Sequence, residues 1–310
     1  MIALSLLALL SFGSAQGRDP KPGVYLPPNE QHPAVELPIL RQSNHGTYIS
    51  VGTERSFIGA ALSQAQALVV IDYDREVIQF ATINRALLAA STDREDYLML
   101  RLRADADVWR RRSMTLNEQD KATLADPRSW TFWDKAVRNN TGAWSSAFEH
   151  FHTAPRQPDD AFAGADYLFD DMLYQRLRQL AKRSRIWART LDLRHEQEVR
   201  ALCTDLQAKG LKPGIVDTSN VPDASEAGSV AAGQYLRWFS ACAPDDTIFM
   251  STERANRPSV SYWSYYAFSN KFLKAHDAAV ISRWIDIEIK KLKVDSETRA
   301  LLNDPDAVEH

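Results

Sequence analysis

Gly52 and Asp72 stand 20 residues apart, and each closes a short apolar run. A glycine at the end of a strand lets a ligand approach the backbone. The helix that follows offers free N–H groups and the positive end of its dipole. A carboxylate at the end of the next strand can accept two hydrogen bonds from ribose hydroxyls, and about 20 residues is the spacing such a pair requires. Tyr73 follows directly and could lie against an adenine face. Asp192 ends a later run, where a carboxylate could read the amino group of a base. Asp217-Thr218-Ser219-Asn220 ends another. There Asp217 could orient a donor while Asn220 holds the amine or hydroxyl of an acceptor. Together these residues suit group transfer from a nucleoside cofactor. Each has a plainer reading. Asp72 or Asp74 could cap the helix that follows, and Asp192 could cap the helix at Glu196. Residues 217–220 could be a helix-entry loop built on Asx and Ser/Thr turns.

The elements that would position these residues are legible. Thr47–Val51 is a β-branched and aromatic run, and Ala67–Ile71 is continuously apolar, as in a strand buried on both faces of a parallel sheet. Between them Phe57, Ile58, Ala61 and Leu62 make a helical stripe. After Asp74, Val77, Ile78, Phe80, Ala81, Leu87 and Leu88 make another. The alternation stops over about 92–165, which reads as a helical insertion with helices near 94–112, 115–125 and 129–137. It resumes with a helix over 168–182, a strand over 185–191, a helix over 196–209 and a strand over 214–216. A helix over 227–241, a strand over 247–250, a strand over 261–268 at the sheet edge and a helix over 277–293 complete it. Strands separated by helices predict an α/β fold, a doubly wound and mostly parallel Rossmann-like sheet with a helical insertion after its second strand. Ligands of such sheets sit beyond the carboxyl ends of the strands at the switch point, where Gly52, Asp72, Asp192 and Asp217 would be.

Composition excludes several classes. The 310 residues are 45% hydrophobic and 25% charged with a formal charge of −3, so no overall basic excess points to nucleic acid. Ile2–Leu10 is apolar except for Ser5 and is followed by Gly13-Ser14-Ala15. That pattern predicts a secretory leader over 1–15, although no Lys or Arg precedes it. Residues 16–45 form a Pro-rich lead-in, 46–294 the folded domain and 295–310 a polar tail. No transmembrane segment is expected in the mature chain, which would be periplasmic or extracellular if the leader is genuine and cytoplasmic otherwise.

Tyr48-Ile49-Ser50-Val51-Gly52 with Phe57 and Ala60-Ala61-Leu62, then Val70-Ile71-Asp72, then Asp217-Thr218-Ser219-Asn220-Val221, resembles class I S-adenosylmethionine-dependent methyltransferases. More narrowly it resembles an uncharacterised bacterial family with a methyltransferase-like fold. The resemblance spans about residues 46–272. It implies S-adenosylmethionine bound by Gly52, Glu54, Asp72, Tyr73 and Asp192, with Glu54 near the methionine amino group and Asp217 and Asn220 as catalytic residues. The acceptor would be a small molecule or a protein. Thr53-Glu54-Arg55 replaces the further glycines of such a turn. That departure keeps a second expectation open, an exported non-catalytic binding module descended from the fold. A nicotinamide-dependent enzyme is a third, disfavoured by the same missing glycines.

His150 and His152 would share one side of a strand but lack a third ligand, so no metal site is expected. The basic cluster of Arg101, Arg103 and Arg110–Arg112 reads as a solvated face paired with Asp105 and Asp107. Cys203 and Cys242 fall on helices that would be neighbours. They could pair in an exported protein or serve as small buried hydrophobes.

Overall fold

The structure, a computed structural model, describes residues 36–139, 165–222, 228–255, 262–294 and 300–302. The leader, most of the Pro-rich lead-in and the His150–His152 pair lie outside the described residues.

The strands are β1 (Thr47–Val51), β2 (Ala67–Asp72), β3 (Ile186–Thr190), β4 (Pro213–Asp217), β5 (Ile248–Ala255), β6 (Tyr262–Ser269) and β7 (Ala300–Leu302). They form one sheet in the order β3-β2-β1-β4-β5-β6-β7. The strands from β1 to β5 are parallel, and β6 runs antiparallel to β5. The fold is therefore the expected doubly wound α/β sheet. Two details differ. β6 lies inside the sheet, because β7 pairs along its far side. The segment read as a polar tail thus supplies a short strand, which its pairing with β6 rather than any periodicity of its own specifies.

Alternation along the strands divides the core in two. Tyr48, Leu68, Val70, Ile215 and Met250 face one side. There they meet α2 (Glu54–Leu62), α3 (Arg75–Ala90), the insertion and α8 (Asp171–Lys182). Ile49, Val69, Ile71, Val216 and Phe249 face the other. They meet α9 (Glu196–Ala208), α10 (Gly228–Ser240), α11 (Asn270–Ala275) and α12 (Ala278–Val294). A short α1 (Leu37–Leu40) precedes β1. The near-continuous burial of β2 follows from this arrangement, since both its faces are covered.

The insertion consists of α4 (Arg94–Leu102), α5 (Ala106–Ser113), α6 (Glu118–Ala125) and α7 (Pro127–Trp133), then a π-helical turn over Asp134–Arg138. The expected helix over 94–112 is two helices. The Asp105 carboxylate accepts the Val108 N–H at 2.8 Å, which ends one helix and starts the next. Asn117 and Asp126 cap α6 and α7 in the same way. Trp109 and Trp133 are fully buried and donate to the carbonyls of Leu100 and Arg101, both at 2.9 Å.

Among the described residues, no helix is long and apolar enough to cross a membrane. Cys203 of α9 and Cys242, two residues past α10, form a disulfide across 39 positions. A bridge of that span stabilises a fold by roughly 4 kcal/mol, chiefly by restricting the unfolded chain. Melting the protein with and without a dithiol reductant should show the reduced form unfolding several degrees lower. Coincident melts would mean that the bridge adds nothing to stability.

Candidate functional site

The chain leaves β1 toward α2 on one face and β4 toward α10 on the other, so the switch point lies between the carboxyl ends of β1 and β4. Gly52 forms the turn after β1 with φ +104°, and the space where a side chain would stand is open. Any other residue would be strained in that backbone conformation. Its carbonyl accepts Ser56 Oγ at 2.9 Å.

Asp72 closes β2 beside this turn. Its Oδ1 accepts the Asp74 N–H at 2.9 Å, and its carboxylate also takes the amides of Tyr73 and Gly52. One side chain thus ties together the turns after β1 and β2. Asp72 is only 9% exposed. Burial pushes its carboxyl up to about 7, with the nearby Asp74 charge adding to the rise and the three amides opposing it. Asp74, not Asp72, caps α3, accepting the Glu76 N–H at 2.8 Å. Tyr73, between them, is 48% exposed.

The two charged residues of the glycine turn go elsewhere. Glu54 is buried and bonds to Arg101 of α4 and to the Tyr167 hydroxyl. Arg101 Nη1 donates to Tyr97 Oη at 3.1 Å, Tyr97 donates to Asn84 Oδ1 at 2.6 Å, and Asn84 Nδ2 donates to Tyr167 Oη at 3.1 Å. The Arg101 guanidinium also lies 5.3 Å from the Trp133 ring. Burial raises the Glu54 carboxyl, while Arg101 and Tyr167 pull it back. Glu54 therefore anchors the insertion to the sheet.

Arg55 turns to β4. Its Nε and Nη2 reach Asp217 Oδ2 and Oδ1 at 2.9 and 3.0 Å, and Tyr48 Oη donates to Oδ2 at 2.7 Å. Glu36 Oε1 lies 3.6 Å from Arg55 Nη1, and the Tyr265 ring sits 5.3 Å from the guanidinium. Asp217 has no exposed surface. Its Oδ1 accepts the Ser219 N–H at 2.9 Å, and Asn220 follows at the half-buried rim.

Asp192 is chelated by its neighbour. Arg194 Nε and Nη2 reach it at 2.9 and 2.6 Å. Burial would raise its carboxyl, but Arg194 holds it below the usual carboxylate range.

The turns thus bring Gly52, Asp72 and Tyr73 together, with Asn220 on the loop beyond the neighbouring strand. Glu54, Asp192 and Asp217 each have a basic side chain already in place. The partners Glu36, Tyr48, Arg55, Arg101 and Tyr167 were not found from the sequence. Their contacts join positions up to 169 apart and leave no local pattern. Among the described residues, no group of three His, Cys, Asp or Glu side chains could hold a metal ion.

A family model described as "Domain of unknown function (DUF7790)" matches residues 25–237, well over half of the chain. No curated protein matches it. Among solved structures, the rRNA methyltransferase aviRa from Streptomyces viridochromogenes is similar over 77% of this chain and 83% of that one, with 13% identity and a TM-score of 0.39.

Proposed function

We propose that this chain, which belongs to the DUF7790 family, binds a nucleoside cofactor across Gly52, Asp72 and Tyr73. S-adenosylmethionine is the first candidate, and the acceptor enters beside Asn220. The observation that carries the reading is Asp72: a carboxylate nine-tenths buried, at a strand end, beside a glycine turn whose outer side is open. A buried, perturbed acid in such a place is a candidate functional residue.

S-adenosylmethionine supplies its own activation, since its sulfonium is a ready leaving group. What the chain must add is alignment. Asp72 would take the ribose hydroxyls, Tyr73 would cover the base, and the Asn220 amide would hold the accepting atom. In this reading Glu54, Asp192 and Asp217 support the site without touching the cofactor, because each is committed to an arginine.

Calorimetric titration with S-adenosylmethionine and S-adenosylhomocysteine tests the reading. Binding should weaken roughly 10-fold or more in Tyr73→Ala, as loss of one base-stacking ring implies, and stay near wild type in Tyr73→Phe. A folded protein that gives no heat with either compound would overturn it.

The Cys203–Cys242 bridge supports residence in an oxidising compartment. Cell fractionation decides this. If the protein is exported and binds no nucleoside, the reading as a non-catalytic module replaces the one proposed.

A further inference from the structure

We propose that Arg55 is a positioning residue: through Asp217 it holds the loop over Thr218–Val221, and with it Asn220, in the place where acceptor and donor would meet. This rests on the reading of the site given above.

The loop is fastened on two sides. Toward β5, the Thr218 N–H donates to Met250 O at 2.9 Å, the Thr218 and Ser251 hydroxyls lie 2.6 Å apart, and the Thr252 N–H donates to Ser219 O at 2.9 Å. Toward β1, the fastening runs through Asp217 Oδ1, which takes the Ser219 N–H. Ser219 itself sits at φ +50°, a left-handed conformation that a serine does not adopt without restraint.

What fixes the Asp217 carboxylate is the fork of Arg55, with two nearly parallel N–H bonds at 2.9 and 3.0 Å. A lysine offers a single point charge and cannot reproduce that geometry. The Tyr48 hydroxyl supports one oxygen only, and it is the other one, Oδ1, that holds Ser219. Arg55 also lies three residues after Gly52, in the first turn of α2. One guanidinium therefore joins the turn that would carry the cofactor to the loop that would present the acceptor. It lies across the paired ends of β1 and β4 on the α2 side of the sheet.

A purely structural ion pair would spread its loss over the whole sheet. A positioning pair concentrates its loss in one loop. Amide hydrogen exchange of the ligand-free protein separates the two. In Arg55→Lys, the amides of Ser219, Asn220 and Val221 should exchange about 10-fold faster or more, while those of Leu68–Ile71 in β2 stay within about 3-fold. Uniform acceleration, or none at 219–221, would overturn the proposal. Should Arg55→Lys fail to fold, Asp217→Asn decides the matter. It keeps an oxygen for Ser219 but loses the charge-assisted fork, and the same localised acceleration is expected. Because no ligand enters this comparison, it stays decisive even if S-adenosylhomocysteine gives no heat and the cofactor reading falls.

Discussion

Arg101→Met should cost the fold about 3–5 kcal/mol, because it leaves the buried Glu54 carboxylate without its cation. The side chain that replaces arginine is apolar and fills the position of its aliphatic stem, while the cation–π contacts of the guanidinium with Phe80 and Trp133 go with the charge. The pH dependence identifies the cause. Burial already raises the Glu54 carboxyl above its ordinary value. Without Arg101 it rises further, so the native state holds a proton that the unfolded chain has released. Stability is then recovered as pH falls, and the deficit of the variant should shrink between pH 8 and pH 5. Glu54→Gln added to Arg101→Met should return part of the loss, since a neutral amide can still bond Tyr167, and the two substitutions together should cost less than their sum. Urea unfolding at two pH values measures all three. A deficit no larger than that of the exposed control Arg111→Met would sink the assignment.

Asp72→Asn should act in the opposite direction on stability. The carboxyl moves from 3.8 to about 7 on folding. Below the lower value both states are protonated and the group costs nothing. As pH climbs to about 7 the unfolded chain releases its proton and the native state does not, so stability is lost across that window and stays lost above it. Asparagine has no proton to lose, and its carbonyl oxygen can still accept the Asp74 amide. The variant should match the wild type near pH 4 and exceed it by about 4 kcal/mol at pH 8. On the reading proposed above it should also bind S-adenosylhomocysteine more weakly, since a ribose loses its anionic acceptor. A gain in melting temperature coupled to a loss of affinity is the signature of a residue kept for function. Melts of the two proteins that run parallel from pH 4 to pH 8 would refute the titration. Equal affinities would remove Asp72 from the site.

The sheet was legible because its signals are local. Ala67–Ile71 is apolar throughout, the stripe from Val77 to Leu88 is helical, and the spacing from Gly52 to Asp72 spans one β-α-β step. The break at Asp105 was not read, because one capping carboxylate outweighed a pattern that continues across it. β7 was not read because a three-residue strand takes its identity from its neighbour. At the site, Glu54 and Arg55 looked like losses from a glycine-rich turn. Their contacts show two buried ion pairs whose partners lie 47 and 162 positions away. No window of sequence holds both members of either pair.

The same two distances set an order of assembly. As the chain emerges from its N-terminus, Glu54 meets Arg101 while the insertion is being made, but Arg55 has no Asp217 until β4 is complete. A guanidinium whose carboxylate fork is missing resists being enclosed, even with Glu36 3.6 Å away, at a penalty of several kcal/mol. The nascent chain can therefore close on the insertion side while it stays open toward β4. Sealing that side is then among the last events of folding, and an intermediate caught before it would expose the edge of β1 along which β4 later docks.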